Sequence, residues 1–173
     1  MGPLHPRTAT PAHVLSRRFG VTGHRILPPD IADRAVEHWR AKLPTGAGLV
    51  GVSSLADGAD QLFAEHVLAA GGTLEAILPC AGYAGSLISD HSRVRFAELV
   101  RAAATVRTLP YAEPSEQAFL AAGQALVDSC DHLFAVWDGL PARGLGGTAD
   151  IVAYARAHSC PVTVLWIDGV SRA

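Results

Sequence analysis

Apolar residues along the chain fall into short continuous runs of strand length, separated by longer stretches with helical spacing. The strand-like runs are 18–22, 49–53, 74–78, 105–109, 133–137 and 162–167. Between them, Ala59, Leu62, Phe63, His66, Val67 and Ala70 share one helical face, as do Phe119, Leu120, Gly123, Leu126, Val127 and Cys130. A further amphipathic stretch covers 151–158. Pro29-Asp30 and Pro114-Ser115 read as helix starts and Gly71-Gly72 as a helix stop. His66 and His158, on otherwise apolar faces, read as core-edge histidines rather than metal ligands.

Strands alternating with helices predict an α/β protein. The sheet is mostly parallel with about six strands, and helices cover both of its faces in three αβα layers. In such sheets ligands gather beyond the carboxyl ends of the strands, near the point where strand order reverses. The segments to inspect are therefore 22–25, 53–58, 79–83 and 138–148.

The composition agrees with this pattern and narrows the partners. With 173 residues, 49% hydrophobic and 17% charged, the chain supports one well-buried core. Residues 17–173 are expected to form a single domain, and 1–16, rich in Pro, Thr and His, a loose tail. The net charge of −2 supplies no general attraction for a polynucleotide, so long nucleic acid is disfavoured as a partner. Cys80, Cys130 and Cys160 are odd in number and lack Cys-x-x-Cys spacing, against both a disulfide framework and a structural zinc site. The N-terminal stretch has prolines and polar residues where a signal peptide has its apolar core, and no apolar run reaches membrane-spanning length. The expectation is a cytoplasmic protein with no membrane attachment.

The chemistry centres on a glycine-rich turn, Arg143-Gly144-Leu145-Gly146-Gly147-Thr148, between the fifth strand-like run and the last helical one. Amides left free at the positive end of a helix attract phosphate, and glycines let an anion approach the backbone. The same loop also reads as an ordinary αβ turn. Thr22-Gly23-His24-Arg25 follows the first strand; Arg25 can grip a phosphate bidentately and His24 can donate to phosphate or ribose. The alternative there is a tight turn with a solvated arginine.

After the second strand, Ser54 and Gly58 are ligand candidates, while Asp57 either caps the following helix or, like Asp60, meets a ribose hydroxyl or an arginine. Asp138 is placed to accept ribose hydroxyls or to act in acid–base chemistry, with Trp137 read as core. Thr148 is expected to cap the last helix, with Asp150 in its first turn. Asp90-His91-Ser92-Arg93 with Arg95 either brings basic groups over the site or forms a solvated helix surface. The chain carries no P-loop, no Gly-x-Gly-x-x-Gly fingerprint and no Gly-x-Ser-x-Gly elbow, against standard NTPases, nicotinamide dehydrogenases and α/β-hydrolases.

Residues 19–25 (FGVTGHR), 54–79 (SLADGADQLFAEHVLAAGGTLEAILP) and 138–156 (DGLPARGLGGTADIVAYAR), in this order, resemble the SLOG superfamily. That superfamily groups the DNA-processing protein DprA, YpsA-like proteins and the LOG phosphoribohydrolases. The resemblance implies a Rossmann-like nucleotide-binding fold, frequently dimeric, so a homodimer is expected. In the LOG branch the last loop reads Pro-Gly-Gly-x-Gly-Thr-x-x-Glu; aligning Gly147 and Thr148 puts Ile151 at the catalytic glutamate, with Asp150 one residue early. An isoleucine cannot act as a base or stabilise an oxocarbenium ion. In the DprA branch, which binds single-stranded DNA, Asp57 stands where the pattern has an arginine.

The leading expectation is a domain that binds or senses a small nucleotide or nucleotide-derived ligand, with no cofactor. Its ligand-binding residues are Thr22, Gly23, His24, Arg25, Ser54, Gly58, Asp138, Gly144, Gly146, Gly147 and Thr148. One alternative is a LOG-like nucleoside-monophosphate phosphoribohydrolase using Asp150 or Asp138. The other is DprA-like binding of single-stranded DNA.

Overall fold

The computed structural model describes residues 16–172, so the tail expected over 1–16 lies, but for Ser16, outside the described residues. Six strands form one all-parallel sheet: β1 (Arg17–Gly23), β2 (Leu49–Ser53), β3 (Thr73–Leu78), β4 (Thr105–Thr108), β5 (His132–Val136) and β6 (Val162–Val164). Five helices connect them: α1 (Pro29–Lys42), α2 (Ala59–Ala69), α3 (Asp90–Ala102), α4 (Glu116–Asp128) and α5 (Thr148–Ala157). The strand order is β4-β3-β2-β1-β5-β6, which reverses direction between β1 and β5.

Side-chain alternation along the strands divides the core between the two faces of the sheet. Phe19, Val21, Phe134 and Val136 point to the side covered by α1 and α2, where they pack with Trp39 and Phe63. Val52, Ile77 and Leu133 point to the other side and meet Leu126 of α4 and Ile151 and Ala155 of α5. Leu74, Ala76 and Leu78 of β3 pack with Leu55, Ala64 and Leu99 beneath α2 and α3. The three layers are thus helices, sheet and helices.

The helix ends follow local rules. Pro29 opens α1, and the Ser115 hydroxyl accepts from the Ala118 amide at the start of α4. Gly71, at φ +73°, ends α2, and the Gly71 and Gly72 amides return to Leu68 and Val67. Helix α5 starts one residue earlier than a Thr148 cap requires: Gly147 occupies the cap position, with no side chain capping it. His158 is exposed and stacked on the Tyr154 ring at 3.9 Å, so it is a surface residue rather than a core-edge one.

Candidate functional site

The reversal of strand order brings the tips of β1 and β5 side by side, with Gly23 opposite Val136. The His24 amide donates to the Val136 carbonyl at 3.1 Å, and the His24 carbonyl accepts from Ala59 at 3.2 Å. Gly58, at φ +74°, turns the chain into α2 against the carbonyls of His24 and Arg25, a place no side chain can occupy. Gly58 therefore shapes the site from behind and does not line it.

Beyond these tips lies a cavity of about 530 Å³. Thr22, Gly23, His24, Arg25 and Ser54 line one wall, and Gly144, Gly146, Gly147 and Thr148 line another. The apolar part of the lining comes from Val21, Phe119, Leu126 and Ile151, with Ile26 and Ile88 at exposed positions. Trp137, expected in the core, is half-buried on the lining, its indole Nε1 donating to the Leu140 carbonyl at 2.8 Å. Asp138 and Asp150 do not line the cavity, although both flank it.

The glycine-rich loop is partly filled by the protein's own carboxylates. The Gly146 amide donates to Asp150 Oδ2 at 2.9 Å and the Leu145 amide to Glu116 Oε1 at 3.3 Å. The Gly147 amide turns inward to the Gly144 carbonyl at 3.3 Å. Gly146 is required by its φ of +80° and by the Leu120 amide nitrogen, which would sit 2.5 Å from any Cβ. Among the described residues, the Thr148 and Ala149 amides have no partner; both belong to the first turn of α5 and both residues line the cavity. The free amides at the helix start thus face the cavity, while the Gly146 and Gly147 amides directly before it are engaged within the loop.

Asp57 does not cap α2. Its side chain is 5% exposed and takes Arg25 Nε at 3.0 Å, Arg25 Nη2, the Ser92 hydroxyl and the Ile88 amide at 3.2 Å. Burial alone would raise the Asp57 carboxyl, but Ser92, Arg25 and Ile88 outweigh it and hold the group below its ordinary range. Arg25, whose Nη2 also donates to the Ser86 carbonyl at 2.6 Å, therefore enters the site with its charge already matched. Deeper still, Asp60 is buried on the lining and accepts from the Ala56 amide at 3.4 Å. Burial pushes its carboxyl up to about 7, against the Ala56 and Ser54 amides that favour the charged form. Tyr83, buried beside it, has its ionisation pushed up by burial and then by Asp60.

His24 and Asp138 form a second pair. His24 Nε2 lies 3.1 Å from Asp138 Oδ1, and the His24 ring meets Trp166 edge-on at 5.2 Å. Burial lowers the His24 imidazole, with Arg172 and Arg143 adding to the effect and Asp138 opposing it. Burial would raise Asp138, but the Leu140 amide, His24 and Arg172 bring it below the usual carboxylate range. Arg172 Nε stands 3.3 Å from Asp138 Oδ2. The aspartate therefore orients His24 and Arg172, which line the cavity, while being 5% exposed itself.

The basic flank expected on α3 is neutralised: Arg93 pairs with Asp90 and Arg95 with Glu65, and neither lines the cavity. Ser92 is instead a buried link between Asp57 and Gln61. Ile151 is 3% exposed in the core and packs tightly on Gly123. Spacing along the sequence does not single out Glu116 or Arg172, whereas Tyr83, Arg143 and Asp60 fall in or beside segments that it does point to. A glutamate directly after a Ser cap, as Glu116 is, reads as a helix-dipole residue, so only the fold shows it reaching the loop. Among the described residues no cluster of His, Cys, Asp and Glu is arranged to hold a metal ion, and no helix is long and apolar enough to cross a membrane.

Together these features define an αβα protein with a ligand-sized cavity at its topological switch point. No protein family profile and no curated protein matches the sequence. Solved structures share the fold. DprA of Streptococcus pneumoniae is similar with a TM-score of 0.64 and 20% identity over 87% of this chain, which spans 50% of that one. DprA of Helicobacter pylori, described in a single-stranded DNA binding mode, gives 0.63 and 17% over 88% of this chain and 67% of its own. The molybdenum cofactor binding protein of Rippkaea orientalis gives 0.57 and 19%, covering 86% of this chain and 76% of that one. The protein shares the Rossmann-like fold of these structures.

Proposed function

We propose that the cavity beyond β1 and β5 binds a small nucleotide or nucleotide-derived ligand, and that the protein is a binding or sensing domain. The observation that carries the reading is the meeting, in one cavity of about 530 Å³, of the unpartnered Thr148 and Ala149 amides with an apolar wall of Phe119, Leu126 and Ile151. Phosphate belongs at the start of α5, with Arg143 beside it, and a flat heterocycle belongs against the apolar wall. Ser54 and Thr22 supply hydroxyls for a ribose. A phosphate reaching further into the loop has to displace Glu116 from the Leu145 amide.

Binding needs no general base, and the carboxylates proposed as bases are occupied. Asp150 holds Gly146, and Asp138 holds His24 and Arg172. The hydrolase reading therefore has no support in this geometry. Single-stranded DNA binding, described for one protein of the same fold, loses the arginine patch it needs, since Arg25, Arg93 and Arg95 all pair with carboxylates. We also keep the homodimer within this reading: β4 is an edge strand with all four of its residues exposed, and light scattering on the pure protein tests it.

A direct test incubates the pure protein with nucleoside mono-, di- and triphosphates, reading thermal stabilisation together with release of free base. The reading expects stabilisation without base release. Base release would overturn it in favour of the hydrolase, and neither signal with any nucleotide would remove the ligand class altogether.

A further inference from the structure

At the opposite end of the sheet, where β1, β5 and β6 begin, an open groove of about 650 Å³ is lined by Arg17, His38, Lys42, His132, Phe134 and Thr163. Its basic groups are brought together by the fold and not by sequence proximity. Arg34, His38 and Lys42 recur at every fourth residue of α1, which places them on one face about 6 Å apart along the axis. Arg17 opens β1 and His132 opens β5. Both imidazoles rest on one phenyl ring, with His132 5.0 Å and His38 5.8 Å from the Phe134 centroid. His132 Nε2 is tied to the Thr163 hydroxyl at 2.8 Å, which fixes the ring's orientation.

These charges are uncompensated. Among the described residues Arg17, Arg34 and Lys42 meet no carboxylate within 4 Å, as several surface arginines also do not, but only here do such cations flank two imidazoles. The nearby Asp131 carboxylate is engaged by the Arg18 amide at 2.8 Å. Burial lowers both imidazoles; Lys42 and Arg34 then lower His38 further, and Arg17 and His38 lower His132. The side chains that shift the two rings in this way, Arg17, Arg34, His38 and Lys42, are all basic. A cluster of like charges held at one place, in a chain whose net charge is −2, is relieved by an anion of several charges.

We propose that this groove is a second ligand site, for a compact polyphosphate anion, held by Arg17 and Lys42 around His38 and His132, with Arg34 one turn further along α1. The site is independent of the cavity beyond the strand tips, and it uses side-chain cations where that cavity uses helix amides. With both imidazoles on one phenyl ring and Arg17 and Lys42 lining the same groove of about 650 Å³, a chain of a few linked phosphates suits it better than an extended polymer. An arriving anion favours the charged imidazoles, so binding takes up protons at His38 and His132. Affinity therefore rises as pH falls, because the free groove holds both rings mostly neutral near pH 7.

Inorganic triphosphate is the probe, followed by titration calorimetry and by the ring resonances of labelled histidines. The expected results are shifts confined to His38 and His132 among the histidines, affinity at least five-fold tighter at pH 6 than at pH 8, and proton uptake on binding. The double variant Arg17→Ala/Lys42→Ala, both residues being exposed, should lose at least ten-fold in affinity, while Gly147→Asp should leave it unchanged. Shifts confined to Gly144 through Ala149 would overturn the proposal by placing the anion in the other cavity. Equal displacement by sulfate at the same concentration would overturn it as adventitious anion binding, and so would an affinity that does not change with pH.

Discussion

The carboxylate of Asp150 accepts the Gly146 amide at 2.9 Å, so the first turn of α5 reaches back and fills part of the loop that leads into it. With Glu116 on the Leu145 amide, the loop holds two carboxylates where a phosphate-binding loop would hold its ligand. The glycine-rich turn is therefore not an open cradle. Its backbone has the form for anions, and its own anions compete for it.

That competition sets the first prediction. Glu116→Gln removes a negative charge from the edge of the proposed phosphate position and leaves an amide that holds Leu145 less strongly. Because Glu116 is exposed and screened, the gain in nucleotide affinity should be about two- to ten-fold, largest at low salt. Calorimetry at two salt concentrations measures it. An unchanged or weaker affinity would move the phosphate away from this loop.

Arg25 answers to Asp57 before it answers to any ligand. Arg25→Ala leaves a carboxylate that is 5% exposed with only Ser92 and Ile88, and stability should fall by about 1–2 kcal/mol, discounted because the arginine itself is half-exposed. Asp57 is held below its ordinary value, so its contribution is complete above the unfolded carboxylate pKa and is lost as pH falls through the lower folded value. Denaturant unfolding of the variant should therefore show a shallower loss of stability on the acid side of pH 4 than the parent. An acid limb of equal slope would contradict the assignment.

Asp60 has the opposite sign. Its folded pKa, about 7, lies above the unfolded one, so the stability linked to its proton is complete below about pH 4 and disappears as pH rises through about 7. Replacing it by Asn keeps a hydrogen-bond acceptor for Ala56 and removes the titration. The parent should lose stability relative to Asp60→Asn between pH 4 and 8, by a difference on the order of 2–4 kcal/mol. Parallel stability curves for the two proteins across that range would show that Asp60 stays ionised.

Ile151 is the clearest departure from the hydrolase pattern. It is 3% exposed against Gly123, so Ile151→Glu places a charge in the core and should cost about 3 kcal/mol or more without creating hydrolysis. Ile151→Val should cost only about 1 kcal/mol, which thermal unfolding resolves. A stable Ile151→Glu protein would mean that the cavity side of this position, and not the packing on Gly123, takes up the carboxylate.

Much of this architecture can be read from spacing alone. The six runs coincide with the six strands to within a few residues, because a strand covered on both faces is buried and largely apolar throughout, as Leu49–Ser53 is, while the exposed edge strand β4 is legible only from its spacing. The segments beyond the strand tips can be read for the same reason, since a parallel sheet puts 22–25 and 143–148 at one end. What spacing hides is pairing across the fold. Asp57 and Arg25 are 32 residues apart, and Asp57 and Ser92 are 35 apart, so nothing local distinguishes the observed anchor from a helix cap. Trp137 was misread because an aromatic at a strand end looks like core until the cavity beside it is visible. The cationic groove is equally hidden, since Arg17, His38 and His132 meet only when β5 inserts beside β1.

The most direct test of the central claim is nucleotide-induced thermal stabilisation of the parent protein beside Gly147→Asp. Gly147 has an ordinary φ of −72°, but a Cβ there would stand 2.8 Å from the Ala142 Cβ, so the loop shifts slightly to take the side chain, and the added carboxylate lies at the start of α5 beside the Thr148 and Ala149 amides. The account predicts that nucleoside phosphates stabilise the parent and not the variant, while both unfold cooperatively without ligand. Equal stabilisation of the two proteins would contradict it.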